Sequence, residues 1–556
     1  MTTYPDASDH LALSAFTNGA FLRVPPFPGR RLRNLEPLPS VTDGLASLAE
    51  FVDMVRARKV GGTYWGAQPI LPPIYTLVRS TAALESSDGL IRQHDPIVAW
   101  FTTQPAGPTR CTAITGECDP WHMLGNARAL VCDADDEVRL VAAILGISTF
   151  VSDPNGDELQ RRDGDIEELL SNALNVAGRF SNPFADTPLT LRDLIELSGH
   201  WRSLIDSNRP ISGGVGFAFW KQDSVLPLLW GGGERAGFFR TSAAADVPGE
   251  IAVWRSKAAP DLIKQLERRG TPLVEVEDGF LRSTGLGADC VPPLSITVDR
   301  LGPYFDPGQP SELENLLEHG RFDPPLIARA RRLRETIVTA GLGKYDRGEV
   351  ILDRIDENRR HILVAGQVED DRSILTGGSG LTSNLELLQR VRAREPDAYL
   401  IYKPHPDVVA GHRKGHIAEQ FSRQFADMVV TDASISSLIA MVDEVHVNTS
   451  LAGFEALMRN KDVTTYGVPF YAGWGLTCDL GPVPARRTAK RSLDELVAAT
   501  LLQYPRYLDP VTGLPCPAEV IVDRLAAPAQ QPVGALVRLR RLQGRLKRRL
   551  TMWRAE

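Results

Sequence analysis

Cysteine is scarce: six in 556 residues, at Cys111, Cys118, Cys132, Cys290, Cys478 and Cys516. None forms a C-x-x-C pair, which argues against a zinc site, and the density is too low for a disulfide framework. Long apolar runs are also missing. No stretch approaches the roughly 18 uninterrupted apolar residues of a membrane span. The N-terminal MTTYPDASDH lacks a basic start followed by an apolar core, so no signal peptide is expected. A soluble or peripheral protein, cytoplasmic and on the inner membrane surface, is the expectation. Excess positive charge is absent too. The balance of 62 basic and 69 acidic residues gives −7, which speaks against bulk nucleic-acid binding.

What is present is an ordinary globular composition, 43% hydrophobic and 24% charged, on a chain too long for one core. Residues 1–205 open with Pro25, Pro26, Pro28, Pro37 and Pro39. They then take up an α/β rhythm. ARALVCDADD (127–136) predicts a strand, EVRLVAAILG (137–146) a helix closed by Gly146, and ISTFVSD (147–153) a second strand. Residues 206–345 repeat the rhythm with strands in GGVGFAFWK (213–221), EIAVWRS (250–256) and PLVEVEDG (272–279), and a helix at Asp261–Arg269. Residues 346–525 carry strands in HILVAGQ (361–367), AYLIYKPHP (398–406), DEVHVNT (443–449) and DVTTYG (462–467), with helices near 384–394 and 450–459. Ser383 and Glu386 predict a capping box. Alternating strands and helices predict doubly wound parallel sheets, and two in tandem predict an interlobe cleft.

The last segment, 526–556, differs. After a linker, Leu536, Leu539, Leu542, Leu546, Leu550 and Trp553 fall on one helical stripe among eight Arg and Lys residues. That is the pattern of a basic amphipathic helix at an anionic membrane surface.

Ligands of open α/β sheets bind beyond the carboxyl ends of the strands. Four loops there carry chemistry. EDGFLRSTGLG (277–287) offers the two carboxylates Glu277 and Asp278, Arg282, Ser283 and the glycines 279, 285 and 287, or simply a charge-balanced structural loop. QVEDDRS (367–373) gathers Glu369, Asp370 and Asp371, any of which could act as nucleophile, base or metal ligand. The TGGSG that follows (376–380) is weak as a phosphate loop because it lacks the Lys-Ser/Thr ending. KPHPDV (403–408) sets Lys403 and His405 around a stiff Pro404. In TSLAGFEAL (449–457), Thr449 and Ser450 suit a helix N-cap, with Glu455 one turn on.

The run of GFAFWK, VEVEDGFLRSTGLG, PPLSITVD, PYFDPGQPSELENLL, GKYD, ILVAGQVEDDRSI, AYLIYKPHPDVVAG, VHVNTSLAGFEAL and YGVPFYAGWGLTCD, in that order from Gly213 to Asp479, resembles the retaining β-Kdo transferase modules of capsule assembly, the KpsC-like proteins. The resemblance implies a GT-B-like fold of two Rossmann-like lobes, 206–345 on the acceptor side and 346–525 on the CMP-sugar side. It implies transfer of Kdo from CMP-Kdo to a lipid-linked glycan with retention, through a carboxylate nucleophile, without a metal or other cofactor. Capsule assembly proteins are the implied partners. By the same resemblance Asp371 is the expected nucleophile, since the modules keep an Asp followed two residues later by Ser. Asp278 is the expected acid/base, and His405 and Lys403 attend the CMP phosphate or leaving group. Gln367, Asp370, Ser373, Arg282, Ser283, Thr449, Ser450 and Glu455 complete the expected substrate contacts. The best-known members carry two full modules. Here residues 1–205 lack any KPHP or EDGF equivalent and are expected to be a degenerate or accessory module. Two other readings stand beside this one: a GT-B transferase or epimerase using another nucleotide sugar, and a non-catalytic factor that binds lipid-linked glycan.

Overall fold

The computed structural model describes residues 21–527 apart from 32–46, 82–83, 85–95, 102–110, 153–158, 164–165, 167–168, 170–181, 186, 188, 234–236, 240–247, 282–290, 344–353, 357 and 412. The predicted basic helix of the tail, Arg282 and Ser283 therefore lie outside the described residues. No described helix is long and apolar enough to cross a membrane. The chain divides into two compact units, Met1–Pro210 with Leu229–Ala236, and Ile211–Leu228 with Gly237–Glu556.

Among the described residues, the first unit holds one sheet of six strands: β1 (Tyr75–Val78), β2 (Ile97–Phe101), β3 (Thr112–Thr115), β4 (Ala127–Cys132), β5 (Ser148–Ser152) and β6 (Leu159–Arg161). Their order is β3-β2-β1-β4-β5-β6, and all pairs are parallel except β5 with β6. The expected helix between β4 and β5 spans Val138–Leu145. Gly146 closes it in the left-handed region at φ 74°, a conformation cheap only for glycine. Residues 229–233 return to this unit, where Trp230 packs edge-on against Phe27 with ring centroids 5.1 Å apart and its carbonyl accepts from Asn208 Nδ2. The boundary expected at 205 thus becomes a chain that leaves the unit at 210 and briefly comes back.

Among the described residues, the second unit holds two sheets. Its first contains β7 (Ile211–Val215), β8 (Gly237–Phe239), β9 (Glu250–Val253), β10 (Leu273–Asp278) and β11 (Ser295–Asp299). The first four are mutually parallel in the order β8-β7-β9-β10, and β11 runs antiparallel to β10. Of the expected strand GGVGFAFWK only the start is extended; from Phe219 the chain is helical to Leu229. The second sheet contains β12 (His361–Ala365), β13 (Tyr399–Lys403), β14 (Met428–Val429), β15 (Glu444–Val447), β16 (Asp462–Thr465) and β17 (Cys478–Asp479). All its pairs are parallel, in the order β14-β13-β12-β15-β16-β17. Strands β12 and β15 are buried at every position, as a sheet covered on both faces requires.

Helix Asn384–Arg394 shows how one face is covered. Leu387, Leu388 and Val391 recur at helical spacing and pack on Ile362, Val364, Leu400 and Tyr402 of the sheet. Ser383 accepts from the Glu386 amide at 3.4 Å, which is half of the predicted capping box. The Glu386 carboxylate turns instead to Arg390, one turn on, at 2.5 Å.

Two further strands, β18 (Pro505–Leu508) and β19 (Pro515–Cys516), add antiparallel to β11 in the first sheet. The segment expected to end the donor lobe, 346–525, therefore finishes in the other lobe's sheet.

Candidate functional site

In the β12–β17 sheet the chain winds from β12 out to β14, returns, and winds the other way from β15. The reversal lies between β12 and β15, and their carboxyl ends form the topological switch point where such sheets take ligands. Three of the expected loops converge there.

The first is Gln367–Ser373. Gln367 is buried and ties two loops together. Its Oε1 accepts from the Thr449 amide at 2.8 Å and its Nε2 donates to Thr449 Oγ1 at 3.0 Å. Its own backbone is gripped on both sides by the Asn384 amide, at 2.8 and 2.7 Å. Asn384 Nδ2 also donates to the Gly415 carbonyl at 3.0 Å. Gln367 and Thr449, both expected to touch substrate, here hold each other.

The three adjacent acids have three separate fates. Glu369 Oε1 accepts from the Asn384 backbone N–H at 2.8 Å. Asp370 pairs with Arg413 at 3.1 Å on the surface. Asp371 is the N-cap of the short helix Arg372–Gly377, and its Oδ1 accepts from both the amide and the hydroxyl of Ser373, at 3.0 and 2.8 Å. Among the described residues its Oδ2 has no hydrogen-bond partner. Ser373 therefore orients Asp371. The Gly-rich stretch behind this helix is its C-terminal turn, with Ser379 and Gly380 at positive φ.

The second loop follows β13. Lys403 is buried and donates to the Thr431 carbonyl at 2.7 Å, so at least one of its three N–H bonds serves the fold. His405 caps the turn Pro406–Val409: its Nδ1 accepts from the Asp407 amide at 3.1 Å. A backbone N–H can only donate, so the neutral ring carries its proton on Nε2. The third loop follows β15. Ser450 caps helix Leu451–Met458 by accepting from the Ala452 amide at 3.2 Å. Glu455 lies inward from this rim. It is 4% exposed and lines a small apolar cavity with Phe280, Leu281, Leu342 and Met458.

The opposite lobe contributes the carboxyl end of β10. Asp278 pairs with Lys221 at 3.1 Å, and the Lys221 ammonium lies 3.4 Å over the Trp254 ring. Glu277, one residue earlier, bonds Arg372 of the Asp371 helix at 2.7 Å. Burial, reinforced by Asp278 and Glu275, lifts its carboxyl to about 7, against the pull of Arg372 and Lys221. Glu277 was one of the two carboxylates expected in this loop, whereas Glu275, Lys221, Arg372 and Asn384 escape a reading that looks only beyond strand ends. The one available signal was the VEVED pattern: acids two apart share a face of a strand, where two carboxylates need cations opposite them.

The family described as capsule polysaccharide biosynthesis protein matches residues 249–347 and 328–507. The capsule polysaccharide modification protein LipA of Neisseria meningitidis serogroup B is 35% identical over 448 residues, 76% of this chain and 63% of LipA. The lipopolysaccharide-processing protein LpsZ of Rhizobium meliloti is 50% identical over 240 residues, 42% of this chain and 54% of LpsZ. The chain thus spans less than two thirds of either relative. Among solved structures, the KpsC β-Kdo 2,4 transferase of Thermosulfurimonas dismutans is 31% identical with a TM-score of 0.50, covering 57% of this chain and 98% of that one.

Proposed function

We propose, because this chain belongs to the KpsC-like family of capsule polysaccharide biosynthesis proteins, that it is a glycosyltransferase moving Kdo from CMP-Kdo to a lipid-linked glycan with retention of configuration. The observation that carries the reading is the switch point: Asp371, oriented there by Ser373 and with its Oδ2 unpartnered among the described residues, stands on one loop, and His405 and Lys403 stand on the loop beside it. A carboxylate facing the sugar carbon and a cationic or N–H donor facing the phosphate suit the two ends of a nucleotide sugar.

In the first step the bond from the ketosidic carbon to the CMP phosphate oxygen breaks, and that oxygen keeps the electron pair. Asp371 Oδ2 forms a bond to the same carbon from the opposite face, giving an acylal-type adduct. Lys403 and His405 Nε2–H stabilise the charge growing on the departing phosphate. In the second step an acceptor hydroxyl attacks from the face CMP left, its proton passes to a carboxylate of β10, and Asp371 is released. Two inversions give retention. Ser373 holds Oδ1 throughout, Gln367 and Thr449 keep the two loops in register, and Ser450 presents the helix N-terminus to phosphate.

Incubation with CMP-Kdo and a Kdo-primed soluble acceptor, followed by CMP release and product mass, tests the reading. Turnover with a UDP-sugar but none with CMP-Kdo would overturn it. Asp371→Ala is expected to lower transfer by at least about a thousandfold, as loss of a covalent nucleophile does, while CMP binding measured by calorimetry stays within a few-fold. Surviving activity would move the nucleophile to another carboxylate, Asp278 first.

A further inference from the structure

The helix that Asp371 caps is six residues long, far below the length at which a helix holds itself. Its position comes from what grips it, and much of that grip is on the other lobe. Arg372 reaches β10, where Nη1 lies 2.7 Å from Glu277 and 3.7 Å from Glu275. Its guanidinium carbon lies 5.0 Å from the centre of the Phe305 ring. One turn on, Thr376 donates to the Phe305 carbonyl at 3.3 Å. At Gly377 a side chain would press on the Phe305 carbonyl, the Thr449 methyl and the Val468 carbonyl, all at 3.2–3.3 Å. The Asp371 carboxylate is bonded to the first turn of this helix through Ser373. Whatever moves the helix moves the carboxylate.

We propose that Arg372 is a positioning residue for Asp371, and that Glu277 is the anchor which sets it, so that the place of β10 in one lobe is carried to the carboxylate of the other. The inference rests on the role proposed for Asp371. The charged groups facing Glu277 are Arg372 from the capped helix, Lys221 from helix Phe219–Leu229, and Asp278 and Glu275 from its own strand; Arg255 holds Glu275 from beyond β9. Glu277 is lifted to about 7 by burial. Above that pH it is charged and holds Arg372; below it, the neutral acid loosens its hold.

Two measurements on Glu277→Gln, Arg372→Ala and Arg372→Lys test this. The first is hydrogen exchange of the amides of residues 371–377 in the full chain, which needs no substrate. Faster exchange confined to this helix is expected in Glu277→Gln and Arg372→Ala, with partial recovery in Arg372→Lys. The second is the pH profile of transfer across neutrality. The unmodified chain is expected to gain rate as pH rises through about 7. Glu277→Gln is expected to lose that limb and to lower kcat about ten- to a hundredfold above it, the scale of a small misplacement of a reacting group, with KM for CMP-Kdo nearly unchanged. Unchanged exchange in Glu277→Gln overturns the positioning inference, as does a retained pH limb at full rate. An unmodified chain inert toward CMP-Kdo overturns the proposed function instead, and the exchange result still decides the anchor.

Discussion

Asp371, Asp370 and Glu369 are consecutive, equally acidic and, along the chain, indistinguishable. What separates them is who stands opposite: the Asn384 amide, Arg413 and Ser373. Two of those three partners come from other parts of the lobe, and only Ser373 was within local view. Asn384 matters most, because its side chain satisfies the backbone of Gln367 on both sides and also the Gly415 carbonyl. Asn384→Leu would leave those buried groups unpaired. It is expected to lower stability by about 2–4 kcal/mol, measured by denaturant melts, and to weaken CMP binding through the loosened Gln367 loop. Unchanged stability would show that water replaces the amide. His405 gives the same lesson in another form: its tautomer follows from the Asp407 amide two residues on, once the turn is known.

At the scale of elements, periodicity was a good guide. The strands at β9, β10, β12, β13, β15 and β16, and the helices on either side of the switch point, fall within the apolar runs that announce them. The failure at Phe219–Leu229 has a physical cause: an apolar run with no strict period suits a buried helix as well as a strand. Within β15 and β16, Glu444 is buried among His446, Thr464 and Arg360. Burial opposes its charge, but the bonds from His446 and Thr464 and the pull of Arg360 prevail and hold it at about 2. A depressed carboxylate stabilises the fold fully above its unfolded value of 4.5, and that contribution is lost as pH falls toward 2. Glu444→Gln is expected to be less stable at neutral pH, with the gap closing over this window. Denaturant midpoints that stay parallel down to the acid end would refute the linkage.

At the scale of the whole molecule, the second unit is knitted by segments far apart in sequence. Strands β18 and β19 return to the sheet of β7–β11. Glu314, from helix Glu312–His319, is held by both Arg486 and Arg487, the latter at 2.7 Å. Arg331 and Arg334 of the following helix, Pro324–Thr339, both bind Asp494, at 2.9 and 3.0 Å. These pairs join segments distant in sequence within the one unit. The basic tail belongs to this scale through its surroundings: deleting 533–556 is expected to weaken binding to anionic vesicles about tenfold or more at low salt, given roughly 1 kcal/mol per basic residue near the surface, and to leave transfer to a soluble acceptor intact. Vesicle binding that survives the deletion would remove the membrane role from the tail.

By itself the sequence determined the α/β alternation, the loops beyond β10, β12, β13 and β15, and the family likeness, because apolar period and local motif are properties of neighbouring residues. Only the tertiary structure decided which acid binds the Asn384 amide, which pairs with Arg413 and which caps the short helix with an oxygen unpartnered among the described residues, and that Arg372 reaches Glu277 across 95 positions. It also decided where the chain's last strands go. Those are contacts between distant segments, and they are set by packing that no local pattern encodes.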